Sequence, residues 1–262
     1  MTGISGAVGM RFASLGSGSR GNALLVEAGG VRLLVDCGFA VREAERRLAL
    51  LGVAPGSLKA ILVTHEHSDH IRGVAALARR HGIPVWATPG TWGRQPASAV
   101  ERLHLISGLG PGFQVADIRV EPFPIPHDAR EPCHFILESG GRRLGLLTDS
   151  GCVTPHIRDR LRECDALMLE CNHDSEMLRR GPYPPFLRAR VAGDFGHLGN
   201  HQAAELVSSM PHRGLSSLLM AHLSEKNNHP ELARQALLAV DASLADRLIL
   251  AEQDSPSPWL PV

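Results

Sequence analysis

Thr64-His65-Glu66-His67-Ser68-Asp69-His70 sets four potential metal ligands, His65, His67, Asp69 and His70, within six residues. Imidazole and carboxylate donors suit Zn²⁺, Mn²⁺ or Fe better than Ca²⁺ or a structural thiolate site. The apolar run Lys59-Ala60-Ile61-Leu62-Val63 precedes them and reads as a buried strand, and Ile71-Arg72-Gly73-Val74 onward reads as a helix. The ligands therefore fall on a strand-to-helix turn, where alternate side chains converge. His65 and His67 can face one ion, Asp69 and His70 another. A His-rich tract can also bind metal by accident; the upstream strand is the context that separates a site from a coincidence.

The rest of the chain mixes strands and helices. Met10 to Ala13, Ala23 to Glu27 and Val31 to Asp36 read as strands, followed by a helix over 40–51 that stops at Gly52. A helix over 71–80 ends near Gly82, ahead of a strand over 83–87. His134 to Glu138 and Arg143 to Leu147 pair across Ser139-Gly140-Gly141-Arg142 as a hairpin. Helices over 155–163, 200–209 and 230–240 alternate with strands over 166–169, 218–221 and 248–251. Gly16-x-Gly18-x-x-Gly21 matches the dinucleotide fingerprint literally, but that motif needs a helix next, and Ala23-Leu24-Leu25-Val26-Glu27 reads as strand. A tight hairpin is the expected reading, with a phosphate-lining loop as the alternative.

His-x-His-x-Asp-His resembles the signature of the metallo-β-lactamase superfamily, and further stretches follow in that family's order. Pro124-Ile125-Pro126-His127-Asp128-Ala129 resembles the third motif, Leu146-Leu147-Thr148-Asp149-Ser150-Gly151 the fourth and Leu219-Met220-Ala221-His222-Leu223-Ser224 the fifth. Ser14 to Asn22, Leu169-Glu170-Cys171-Asn172-His173-Asp174 and Gly196-His197-Leu198-Gly199-Asn200 narrow the resemblance to the bacterial YycJ (WalJ) subgroup that accompanies WalK/WalR two-component genes. The resemblance spans about Met10 to Pro256. It implies a four-layer αβ/βα sandwich in one α/β domain over 10–262, with residues 1–9 a disordered extension and Met10 an alternative start.

The resemblance also implies a ligand set. His65, His67 and His127 hold one divalent transition-metal ion, Asp69, His70 and His222 a second, and Asp149 bridges them. Two such ions activate a hydroxide between them and hold the oxygens of the group attacked. The ligands alone do not choose between a carbonyl carbon and phosphorus. His197 favours phosphorus. It is not needed as a ligand, and in the superfamily's phosphodiesterase branches a histidine of this region protonates the leaving oxygen; the plain alternative is a cap for the helix near Asn200. Asn172, His173 and Asn200 are candidate pocket residues, although His173-Asp174 can also simply start a helix through Leu178.

Arg179-Arg180-Gly181-Pro182-Tyr183-Pro184-Pro185-Phe186-Leu187-Arg188-Ala189-Arg190 reads as a proline-stiffened basic loop. Its arginines offer phosphate contacts, with Arg188 and Arg190 the nominated pair, and the interleaved Tyr183 and Phe186 offer a surface on which a base can stack. A solvated basic loop is the bland reading. No room for an inserted β-CASP domain remains between Asp149 and His222, and the long arm of RNase Z enzymes is not apparent. His67 holds the position where the flavodiiron pattern has glutamate.

Composition agrees with this picture. With 262 residues and 44% hydrophobic side chains the chain can bury a large core. Its formal net charge of +0 and pI near 7.3 create no global field for a polyanion. The five cysteines lack any C-x-x-C spacing, which points to reduced thiols and a cytoplasmic location. No apolar run spans a bilayer, the start is not a signal peptide, and no signal for an oligomeric state is present. The leading expectation is a two-metal phosphodiesterase acting on nucleic acid, DNA rather than RNA, from the 5′ end. The alternatives are a small-substrate hydrolase (thioester, lactone or cyclic phosphodiester) and a non-hydrolytic iron dioxygenase or WalK/WalR regulatory partner.

Overall fold

Short apolar runs pair into two seven-stranded sheets in a computed structural model that describes residues 9–93 and 95–262. The disordered extension expected over 1–9 lies, except for Gly9, outside the described residues. The first sheet is built from β1 (Arg11–Gly16), β2 (Ala23–Ala28), β3 (Val31–Val35), β4 (Leu58–Leu62), β5 (Val85–Ala87) and β6 (Leu103–Leu105). The second holds β7 (Phe113–Val115), β8 (Ile118–Pro124), β9 (Cys133–Ser139), β10 (Arg142–Leu147), β11 (Ala166–Glu170), β12 (Ser217–Ala221) and β13 (Leu248–Leu250). The chain then returns as β14 (Leu260–Pro261) to the edge of the first sheet, beside β1. Each sheet is antiparallel where hairpins build it and parallel from β3 to β6 and from β10 to β13.

Helices α1 (Val41–Leu50), α2 (Ser68–Ile71), α3 (Val74–His81) and α4 (Pro89–Trp92) belong to the first half. The second half has α5 (Pro155–Leu161), α6 (Ser175–Arg180), α7 (Pro185–Ala192), α8 (Asn200–Ser208) and α9 (Pro230–Leu238). One apolar cluster fills the space between the sheets, with Phe12, Leu33, Leu62, Phe135, Leu146 and Leu219 among its members. Two more join each sheet's outer face to its helices, around Leu34, Ile61 and Leu77 on one side and Leu147, Leu169 and Leu206 on the other. Three cores between four layers make the αβ/βα sandwich expected from the sequence.

Several elements differ from the sequence reading. The helix expected from residue 71 is broken at Gly73, whose amide donates to Cys37 O at 2.8 Å. A Cβ there would lie 2.0 Å from Phe39 O, so only glycine lets the two loops close behind the metal motif. Strands β6 to β8 and β14 were not read from the sequence. Pro122 and Pro124 disguise β8, and both lie past the stretch where β7 pairs with it, so no ladder partner is missing their N–H. The basic segment is not a loop: it forms α6 and α7, joined through Tyr183 and Pro184. Between Asp149 and His222 the described elements all belong to the sandwich or lie along it.

Candidate metal centre and active site

The carboxyl ends of the parallel strands meet at one cleft, where open α/β sheets place their ligands. His65 to His70 follow β4, His127 follows β8, Asp149 follows β10, Glu170 ends β11 and His222 follows β12. Asp36 (φ 61°), Asp149 (φ 55°) and His222 (φ 54°) all adopt left-handed backbone conformations just beyond strand ends. Such strain, on the order of 1–3 kcal/mol each, persists where surrounding contacts over-determine it and clusters at functional sites.

The structure brings the seven residues nominated as ligands together. His65, His67 and His127 form one group of converging donor atoms, and Asp69, His70 and His222 form another. Asp149 stands between them, with Oδ2 3.4 Å from His70 Nε2 and Oδ1 3.4 Å from His222 Nε2. His65 Nε2, His222 Nε2 and Asp149 Oδ2 are buried and have no hydrogen-bond partner. Unpaired buried donors and acceptors are costly, and three that converge fit a cation. The donor set is nitrogen and oxygen throughout, as a transition-metal ion of this kind needs.

The opposite ring edges are fixed by a shell that sequence reading did not nominate. Asp36 accepts from Thr64 N (2.8 Å), Thr64 Oγ1 (2.7 Å) and His70 Nδ1 (2.8 Å), and Thr64 Oγ1 in turn meets His65 Nδ1 at 2.9 Å. Nδ1 of both histidines is thereby occupied, which leaves each Nε2 for the cleft. The glycine turn is a six-residue connection and not a tight hairpin. Its Asn22 amide lies 3.2 Å from Asp69 Oδ2 and 3.1 Å from His70 Nε2, and its Ser17 hydroxyl accepts from His222 N at 2.9 Å. An Asp36→Asn substitution is expected to weaken metal affinity by about 10–100-fold while the protein still folds, since asparagine tolerates the left-handed backbone. A chelator-competition titration reads this, and unchanged affinity would remove Asp36 from the centre.

Charge follows the same layout. Burial opposes the imidazolium forms of His70 and His222, yet Asp149 outweighs it, aided by Asp36 at His70 and by Asp69 and Glu170 at His222. His70 is held well above the ordinary histidine range and His222 at about 10. Asp69 and Asp149 are correspondingly held well below the usual carboxylate range despite their burial. The metal-free pocket therefore keeps protons where cations would sit. Binding of a divalent ion at neutral pH should release protons, seen as a buffer-dependent enthalpy in calorimetry; an enthalpy independent of buffer would contradict the protonated imidazoles.

Glu170 is the other residue that sequence reading passed over. It is fully buried, and its four hydrogen-bonding positions are taken by Ser150 N (3.0 Å), Leu198 N (3.1 Å), His197 Nδ1 (2.8 Å) and His222 Nδ1 (3.2 Å). It lies in a group that could itself hold an ion with Asp149, His197 and His222. With every lone pair engaged it acts instead as an acceptor that orients two rings. His197, its Nδ1 held by Glu170, lines the cleft with His67, Asp69, Asp149 and His222.

The nominated substrate residues are dispersed. Tyr183 and Arg190 line the cleft, and Arg190 Nε pairs with Asp128 Oδ2 at 2.5 Å. Arg188 lies on a different cavity, with Nη1 donating to Arg179 O at 2.6 Å. Asn172 stands behind His222, donating to its carbonyl at 2.8 Å. Asn200 exchanges amide hydrogen bonds of 2.9 Å with Asn228 and is buried. His173 is buried and borders the same cavity as Arg188. Asp174 caps α6 through its carboxylate, so the helix expected through Leu178 does start there. Among the described residues no helix is long and apolar enough to cross a membrane.

Comparison with known proteins agrees with this architecture. The family described as "Beta-lactamase superfamily domain" matches residues 31–222. The chain is 36% identical over 241 residues to the exodeoxyribonuclease YycJ of Bacillus anthracis, which covers 89% of each protein. It is 34% identical over 237 residues to the exodeoxyribonuclease WalJ of Streptococcus pneumoniae, 88% of each. The crystal structure of the metallo-β-lactamase fold protein YhfI from Bacillus subtilis superimposes with a TM-score of 0.73 over 95% of this chain and 98% of that one, at 16% identity, a likeness of fold alone. The chain belongs to the metallo-β-lactamase superfamily, in the group that contains YycJ and WalJ.

Proposed function

We propose that this protein is a metal-dependent phosphodiesterase that cuts nucleic acid, DNA above RNA, and removes nucleotides from a 5′ end. The observation that carries the reading is the His197–Glu170 pair. It sets a proton donor on the wall of the cleft, apart from the nominated ligands. Cleavage of a phosphodiester expels a sugar alkoxide, which leaves slowly unless protonated. Relatives named as exodeoxyribonucleases, similar along nearly the whole chain, support the same substrate class.

His65, His67 and His127 would hold one ion and Asp69, His70 and His222 the other, with Asp149 shared. Divalent ions there supply Lewis acidity, which makes water nucleophilic near neutral pH and neutralises charge on phosphoryl oxygens. The protein's own groups do the rest. Burial lowers the pKa of His197, but the Glu170 carboxylate outweighs it and holds the ring above the ordinary histidine value. The shift favours the protonated ring, which delivers its proton to the departing oxygen. Glu170 keeps the ring's orientation as that proton leaves, and its bonds to Ser150 N and Leu198 N keep the carboxylate itself in place. Tyr183 and Arg190, on the cleft wall, would meet a base and a phosphate.

Incubation of the metal-loaded protein with 5′-labelled duplex DNA, matched RNA and bis-p-nitrophenyl phosphate tests the reading. Labelled mononucleotides should appear first from DNA. Hydrolysis of the small diester with both nucleic acids intact would instead identify a small-substrate hydrolase.

A further inference from the structure

Helix α7 (Pro185–Ala192) has no buried residue, unlike the other long helices of the fold. The reason is that it is a partition. Leu187, Arg190 and Val191 line the metal cleft of about 230 Å³, while Arg188, Ala189 and Ala192 line a separate cavity of about 720 Å³. A 3.6-residue repeat puts these two sets on opposite faces of the helix. Phe186, 74% exposed, falls on the crest between them.

The second cavity has a defined chemistry. Its remaining wall is His173, Ser175, Leu178, Arg179, His201 and Gln202. Among the described residues no carboxylate lines it. Glu176 takes up the charge of Arg179, whereas Arg188 bonds a backbone carbonyl and no carboxylate among the described residues. His173 is 3% exposed, and its Nδ1 is buried without a partner. Burial pushes its pKa down to about 4, so it borders the cavity as a neutral ring. Leu178, Ala189 and Ala192 add an apolar surface. An uncompensated guanidinium, neutral hydrogen-bonding groups and an apolar wall match a nucleotide, and the volume lies in the range of small-molecule sites. The cavity also adjoins the centre covalently: Gly199, which packs against His173 and His201, is two residues from His197.

We infer that this cavity is a second nucleotide subsite, which takes a nucleotide of the same strand remote from the scissile bond after the strand crosses α7 over Phe186. The inference rests on the nucleic-acid reading above. It explains why arginines of one basic segment face two different spaces.

The test compares steady-state hydrolysis of a thymidine dinucleotide, a roughly ten-residue oligothymidylate and bis-p-nitrophenyl phosphate by the metal-loaded protein and its Ala192→Phe variant. The exposed alanine is replaced by a ring that intrudes on the cavity. In the unmodified protein KM should fall about tenfold from the dimer to the longer strand, the order of one stacked base. Ala192→Phe should erase that gain and leave hydrolysis of the small diester unchanged. Arg188→Gln should raise KM for the long strand and flatten its salt dependence. Unchanged KM for the long strand in both variants, with DNA still cut, overturns this inference alone. A protein that hydrolyses the small diester and cuts no DNA overturns the nucleic-acid reading, and this inference with it.

Discussion

Asp149→Ala is expected to remove at least one metal ion per chain and nearly all hydrolysis. Asp149 stands between the two groups of converging donors, and its Oδ2, 3.4 Å from His70 Nε2, is buried and accepts no hydrogen bond from the protein. Glu170, in the same region, cannot replace it, because its oxygens are engaged by four donors. Alanine would also sit badly at φ 55°, so Asp149→Asn is the control, because asparagine tolerates that backbone and removes only charge and one acceptor. Both variants should show the loss by elemental analysis and turnover. Full occupancy with near-normal turnover in either would sink the bridged centre.

His197→Ala should keep the metals and the substrate affinity while kcat falls by about 10²–10⁴, the usual cost of a lost general acid. The defect should shrink on a p-nitrophenolate ester, whose leaving group departs without a proton. Equal slowing on both substrates would mean that His197 stabilises charge or orients substrate. The pair makes a further demand on pH. Glu170 raises the pKa of His197, so activity that needs the protonated ring is present below that pKa and fades as pH rises through it. Glu170→Gln removes the carboxylate that raises it. The alkaline limb should move to lower pH, and a limb that stays put would separate Glu170 from the acid.

The sandwich was legible in its alternating strand and helix runs, and the residues that gather in the cleft in two ways: His65 to His70 follow an apolar strand in one short run, and the order of the family's motifs pointed to His127, Asp149 and His222. Asp36 and Glu170 were not. Each ends or follows an apolar strand as a lone carboxylate, which in sequence looks like any solvated strand terminus. Only the parallel pairing of β3 with β4, and of β11 with β10 and β12, brings Asp36 to Thr64 and His70 and Glu170 to His197 and His222. The reverse error befell Asn172 and Asn200. They sit in polar runs beside the site, yet their amides serve the backbone and each other. The basic segment misled through its prolines: Pro185 occupies the first turn of α7, where its missing N–H costs nothing, so a feature read as loop stiffening starts a helix.

The central claim is that hydrolysis of nucleic acid runs through the cleft between the two sheets and depends on cations held there. The measurement that tests it most directly is the rate of nucleotide release from 5′-labelled duplex DNA, followed as chelator-stripped protein is titrated with Mn²⁺ or Zn²⁺ and bound metal per chain is counted in the same samples. The account predicts no release from the stripped protein, and a rate that climbs with occupancy and levels off near two ions per chain. Release by metal-free protein, or a rate that ignores occupancy, would contradict it.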